Sequence, residues 1–397
     1  MSSAPYLEQF VVTPELDRSD AELMRLPAPK RIAVGRVAEI MWQAVAPSVV
    51  VPLRERLTGN EDPLGLCLDS MASAAPFARL AGENQKKLGS INNGTSLAML
   101  HFMKYDAAKG RLFETTDELE DLLRDSDIGE DCPAQFFRPP YPSIYIAFGE
   151  SRTFPVFVNN SLSGDHRVEG VFVSESKTTV QIGTTVSVMD ARNRNMKEGE
   201  PCRVLSLLIC GCPKASFLDD ATLGMDIFIP ESDEDKPLLQ LIEGTLKDMS
   251  RDLQGTESTP PSLAERKVFH AVMEHAAKIL LYLNCSNVRQ QLETRETELR
   301  ARVTRVGPGK KAKLERKLER AYDRVLVQTP ASEKQEGRPE TMGTHASPKA
   351  HWRRGHFRSV RYGPGKTERR PKLIPRVLVN LEKLGQDPMA KDYSVGA

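Results

Sequence analysis

The spacing of apolar positions along this chain changes period several times. From Arg31 to Tyr105 apolar residues recur mostly at helical intervals, and AVGRVAEIMWQAV sets Val34, Val37, Ile40 and Met41 on one stripe with Trp42 beside it. The first 30 residues mix proline with charge and are expected to wrap the surface. In TTDELEDLLRDSD, Thr115 and Glu118 stand in capping-box relation, which predicts a short acidic helix. Near Pro139 the period shortens. SIYIAFG, TFPVFVNN, VEGVFVSES, TTVQIGTTVSVMD, RVLSLLICG and MDIFIP are β-branched and aromatic runs broken by Gly, Asn, Asp and Ser. They predict about five or six strands in an antiparallel sheet, because few helical crossovers intervene.

Helical spacing then returns in ESDEDKPLLQLIEGTLKDM and, most sharply, in PPSLAERKVFHAVMEHAAKILLYLN. There Ser262 and Glu265 form a capping box, and Val268, Ala271, Val272, His275, Ala276, Ile279, Leu280 and Leu283 follow a helical stripe. This helix is expected to pack on the sheet, with His275 as a core histidine. KKAKLERKLERAYDRVLV predicts a second, basic helix with Leu314, Leu318, Ala321 and Val325 on one face. Residues 328–350 are poor in apolar side chains and read as linker. The final segment predicts a β-hairpin, HWRRGHFRSVRY and PKLIPRVLVN joined by a GPGK turn of type II. The expected class is α+β: an antiparallel sheet packed by helices, with a basic helix and a C-terminal hairpin. Its regions are a mainly helical 1–135, an α+β core 136–303, a basic helix 304–328, a linker 329–350 and a basic hairpin module 351–397.

Charge adds a division that the pattern alone does not show. Residues 1–250 hold 25 Lys+Arg against 37 Asp+Glu, a balance of −12, and residues 251–397 hold 30 against 17, a balance of +13; the sum is +1. Such asymmetry points to a basic region with an anionic partner, or to a tail that folds back on the acidic half. The opening MSSAPYLEQFVV lacks the basic and apolar regions of a signal peptide, and no apolar run approaches the roughly 18 residues of a membrane helix. The six scattered cysteines are therefore expected to be reduced thiols in a bacterial cytoplasm.

Several chemistries are excluded by spacing. Gly363-Pro-Gly-Lys-Thr367 lacks the upstream glycine of a phosphate loop, where Val360 stands, and Pro364 removes a backbone donor. Cys202, Cys210 and Cys212 do not have zinc-site spacing, and His351 and His356 do not form a helical metal pair, so no metal and no cofactor is expected. No nucleophile elbow is present. HWRRGHFRSVRYGPGK still concentrates unusual chemistry. His351 and His356 supply a candidate acid–base pair for metal-independent RNA cleavage. Arg353, Arg354, Arg358, Arg361 and Lys366 supply phosphate contacts, with Lys310, Lys311 and Lys313 of the basic helix. Trp352, Phe357 and Tyr362 supply stacking surfaces or hairpin anchors. Strand alternation puts Arg354, His356 and Arg358 on one face, unless a bulge at Gly355 intervenes. A binding surface, a structural hairpin and a ribonuclease all remain open on these residues.

AHWRRGHFRSVRYGPGKTERRPKLIPRVLVN resembles the C-terminal signature of a family of phage and plasmid anti-CRISPR proteins: His351, Arg353, Arg354, Gly355, His356, Phe357, Gly363, Gly365, Val379 and Asn380 occupy its positions. KILLYLNCSN and RPPYPSIYIAF are similar to the family's helix end and strand entry. The chain differs in extra sequence between Ser286 and Ala350 and in a longer N-terminal part. The resemblance implies a mobile-element protein that represses production of a target, in one member a type V-A effector nuclease. Such a protein recognises the target's N-terminal peptide as it leaves the ribosome, and the mRNA is lost. The implied partners are a nascent polypeptide and RNA or the ribosome, with no membrane.

Overall fold

The computed structural model describes residues 25–34, 101–102, 104–106, 108–149, 154–160, 164–183, 194–213, 221–248, 263–330 and 351–379. The helical elements are α1 (Ala28–Val34), α2 (Asp117–Arg124), α3 (Leu238–Asp248), α4 (Leu263–Leu283), α5 (Arg295–Val303) and α6 (Pro308–Glu319). The first strands are β1 (Arg111–Thr115), β2 (Ser126–Ile128), β3 (Ser143–Ala147), β4 (Phe157–Asn160), β5 (Gly164–Thr179), β6 (Pro201–Gly211) and β7 (Thr222–Pro230). They are followed by β8 (Arg289–Glu293), β9 (Arg324–Gln328), β10 (His351–Arg353), β11 (Gly355–Tyr362), β12 (Glu368–Ile374) and β13 (Val377–Val379).

Eight strands form one sheet in the order β7-β6-β5-β3-β1-β9-β8, with β4 paired to β5. The β3–β5, β5–β6 and β6–β7 ladders are antiparallel, as the sequence predicts. β1 instead runs parallel to both β3 and β9. The sheet is therefore mixed rather than wholly antiparallel, because α2 and its following turns carry the chain back to the same edge before β3 begins.

Both faces of this sheet are buried, and the strands show it residue by residue. Phe113, Ile144, Ile146, Val171, Val173, Leu207 and Ile209 join the core that includes α4. Their neighbours Leu112, Tyr145, Phe172, Leu208 and Cys210 point the other way, into a second cluster with Ala28 and Phe102. Two-sided burial explains the near-continuous apolar runs in β3, β5 and β6. α4 is covered on all sides over its second half, from Ala276 to Leu283, so its stripe widens into a collar. His275 is a core histidine: its ring stacks on Phe154 at 4.7 Å between centroids and meets Glu120, whose carboxylate also accepts from the Thr115 hydroxyl.

α1 is fastened to the second face by a buried ion pair. A bulge in β5 between Val168 and Gly170 inserts Glu169 as an extra residue and re-aims it. Gly170 is needed there, since a Cβ would stand 2.3 Å from the Ile146 carbonyl oxygen. Arg31 donates to both oxygens of Glu169, at 2.5 and 3.2 Å, and both side chains are almost wholly buried.

Three sequence expectations change. The N-cap of α2 is Thr116, which accepts from the Leu119 N–H, while Thr115 ends β1. The basic helix stops at Glu319, and Val325 belongs to strand β9. RLFET and RQQLE are strands β1 and β8, which the sequence did not single out. The α1-region stripe beyond Val34, the Ser262 cap and residues 331–350 of the expected linker lie outside the described residues. Among the described residues no helix is long and apolar enough to cross a membrane.

Removing one partner of the Arg31–Glu169 pair strands a buried charge. Glu169→Ala is expected to lower the unfolding free energy by about 3–5 kcal/mol in denaturant titration. A loss below about 1 kcal/mol, the range of an exposed pair, would contradict the reading of a buried clamp.

Candidate functional site

The basic C-terminal module folds back on the acidic half of the chain. β11 and β12 form the expected antiparallel hairpin, and β11 also pairs in parallel with β2, giving the order β12-β11-β2. The turn between them is the expected type II: the Lys366 N–H donates to the Gly363 carbonyl at 3.1 Å and Gly365 sits at φ 70 and ψ 4. Gly355 faces Ser126 across the parallel ladder, where a Cβ would lie 2.5 Å from the Ser126 hydroxyl oxygen. No residue but glycine allows this approach without movement. The Gly129 N–H donates to the Phe357 carbonyl at 3.0 Å, and the Ser359 N–H donates to the Asp131 carboxylate at 3.1 Å.

Apolar burial, not surface charge, holds the module down. Phe357 and Leu373 face each other across the hairpin and are fully buried in the core that contains α4. Each such side chain contributes roughly 1.5–3 kcal/mol. The ion pairs Arg354–Asp127 at 3.5 Å and Arg376–Asp125 at 2.8 Å are exposed, and such pairs contribute about 0–1 kcal/mol. Phe357 is therefore a hairpin anchor and not a stacking surface for bases, which corrects one expectation.

With Phe357 turned inward, alternation turns His356, Arg358, Val360 and Tyr362 outward, beside Lys372, Arg370 and Glu368 on β12. The Arg370 guanidinium lies 4.7 Å from the centre of the Tyr362 ring. A hydrogen bond to Glu368 raises the Tyr362 pKa. Arg353, Arg361 and Lys366 are exposed. His351 and Trp352 lie on β10, which pairs with β13 as a separate two-stranded sheet, so the two candidate histidines are on different strands of different sheets.

A second feature left little trace in the sequence. α5 and α6 pack as a helical hairpin between edge strand β8 and β9, and they overhang an open groove of about 1240 Å³. Its walls come from α1, Tyr105, the end of β8, Glu296 and Arg300 of α5, and Glu315, Leu318 and Glu319 of α6. Asp323 caps α5, accepting from the Glu296 and Thr297 N–H groups at 2.7 and 3.1 Å, and Lys30 reaches Glu296 at 3.0 Å. In the floor, Arg324 donates to Glu114 at 2.7 Å and Glu293 at 2.8 Å. Burial alone would lower its pKa, but these carboxylates outweigh that and raise it, so the guanidinium stays charged. Lys310, Lys311 and Lys313 all lie on α6 and are exposed. The only sequence signal of the groove was Leu318 on a helix otherwise dominated by charge.

Three of the buried thiols are unsuited to chemistry. Burial pushes Cys132, Cys202 and Cys285 up to about 12. Among the described residues, no group of three or more His, Cys, Asp or Glu side chains is placed to hold a metal ion.

Fold and site thus define an α+β protein with a mixed sheet, a basic hairpin docked on an acidic edge, and a helical hairpin over an open groove. The chain belongs to the AcrVA2-like family, described as the Anti-CRISPR type V subtype A2 family, which it matches over residues 113–381. Membership supports an anti-CRISPR function. A solved structure, "Crystal structure of AcrVA2", is 14% identical, with 72% of this chain and 79% of that chain covered and a TM-score of 0.36. No curated protein matches.

Gly355→Ala is expected to cost about 1–3 kcal/mol through overpacking. Adding Ser126→Ala should restore part of it, whereas an equal loss in both variants would place the strain elsewhere. For the thiols, the folded pKa of about 12 exceeds the ordinary 9.0. Their stabilising contribution is complete below 9.0 and is lost as pH rises towards 12. A denaturation midpoint that falls over this window, and falls less when the three are replaced by alanine, is the expected result.

Proposed function

We propose that this anti-CRISPR represses production of its target in the bacterial cytoplasm by holding the target's nascent N-terminal peptide in the α5–α6 groove, with loss of the corresponding mRNA. The observation that carries this reading is the groove. It is open to solvent and larger than the roughly 300–1,000 Å³ of small-molecule sites. Leu292, Leu318 and Tyr105 offer apolar contacts, while Lys30, Arg300, Glu315 and Glu319 offer both signs of charge, a mixture suited to a peptide. β8 ends the sheet at the groove's margin, where an extended chain finds backbone partners. The outward face of β11–β12, with His356, Arg358, Tyr362, Arg370 and Lys372, is then the side turned to RNA or the ribosome.

Leu292 is largely exposed and Leu318 half-buried, so charge at either position should leave the fold intact. A Leu292→Asp, Leu318→Asp variant is expected to bind a fluorescent peptide of the effector's N-terminal sequence at least about tenfold more weakly, about 1.4 kcal/mol. Its melting temperature should match the parent's. Unchanged affinity would remove the groove from the account.

A further inference from the structure

α6 has two unlike faces. Glu315, Leu318 and Glu319 line the groove. At about 100° per residue, Lys310, Lys313, Arg316 and Lys317 fall together on the opposite side, and all four are exposed. Lys311 belongs to the groove side, where it approaches Glu315 at 3.8 Å. Both carboxylates of α6 are thus on the inner face, and the outer stripe carries positive charge alone. Over residues 295–320, which span both helices, ten Lys+Arg stand against four Asp+Glu, a balance of +6. α6 buries no residue, so none of these cations is spent on the core.

We propose that the outer stripe of α6 is a docking face for the phosphate backbone of RNA. Lysine and arginine at nearly every turn, with no acidic residue between them, match the uniform charge of a nucleic-acid backbone. A protein partner is a poorer fit, because protein interfaces are depleted in lysine and centre on an aromatic or apolar anchor, which this stripe lacks. A membrane surface is poorer still, because an interfacial helix needs an apolar face to insert, and Leu318 is turned into the groove. From Lys310 to Lys317 the stripe spans about 10 Å, the reach of a few successive phosphates. If the groove holds a peptide, as proposed above, one rigid helix places peptide and RNA on its two sides, about 10–12 Å apart. The RNA contact itself does not depend on that reading.

The test uses the full chain and a fluorescein-labelled single-stranded RNA of mixed sequence, with no peptide present, titrated between about 50 and 200 mM salt. The parent should bind with a steep salt dependence. K310A/K313A/R316A/K317A should lose at least tenfold in affinity, and its slope of log K against log salt should shrink by about three, from four lost contacts at roughly 0.7 each. K310R/K313R/K317R, which keeps Arg316, should retain binding, which separates lost charge from a melted helix. RNA affinity unchanged in the alanine variant would overturn the proposal. So would a salt slope that shrinks in R358A/R370A/K372A and keeps the parent's value in the α6 variant. Tighter binding of the parent to phosphatidylserine vesicles or polyglutamate than to RNA would overturn it too.

Discussion

In β3, Ile144 and Ile146 turn to one side of the sheet and Tyr145 to the other, and none of the three is exposed. The same division continues through β5 and β6, so the sheet needs cover on both faces. α4 meets that need on one side, packed by α2 and α3 and closed by Phe357 and Leu373 of the C-terminal hairpin. On the other side α1 and the segment around Phe102 provide it, fastened through Arg31 and the bulged Glu169. Covering two apolar faces places distant parts of the chain together. The groove is one consequence, since it forms where α1 meets the edge of the same sheet.

The division of charge along the chain acquires a structural meaning from this arrangement. The acidic segment after α2 receives β11 through backbone pairing with β2, and Asp125, Asp127 and Asp131 contact the incoming strand or its flanks. Apolar anchors supply the energy, and the exposed ion pairs set orientation more than stability. Because the inward face of the hairpin is apolar, its arginines and lysines remain largely on the surface. The basic half therefore folds on the acidic half, while many of its cations stay on the surface.

Elements whose periodicity is long or uniform were legible in the sequence. The stripe from Val268 to Leu283 gave α4, the β-branched runs gave β3, β5, β6 and β7, and Pro364-Gly365 gave the turn of the hairpin. β9 read as helix because Ala321 and Val325 continue the spacing of Leu314 and Leu318, and nothing local shows that Arg324 will turn towards Glu114. β8, RQQLE, is an exposed edge with one apolar residue, so it carries no alternation to read. Parallel pairing of β1 with β9 joins residues about two hundred positions apart, and no local pattern encodes such a partner. For the same reason the groove was barely legible: its walls come from four separated stretches. At the C-terminus, residue types announced the chemistry, but burial decided that Phe357 anchors while Tyr362 faces out.

The central claim is that the target is read as protein and not as RNA. The most direct measurement follows reporter mRNA in a cell-free translation system after addition of the pure protein. One reporter carries the effector's N-terminal codons, a second the same amino acids in synonymous codons, and a third the original nucleotides shifted out of frame. The account predicts that the first two mRNAs are lost, only while translated, and that the third survives. Loss of the third, or loss of any of them without translation, would contradict it.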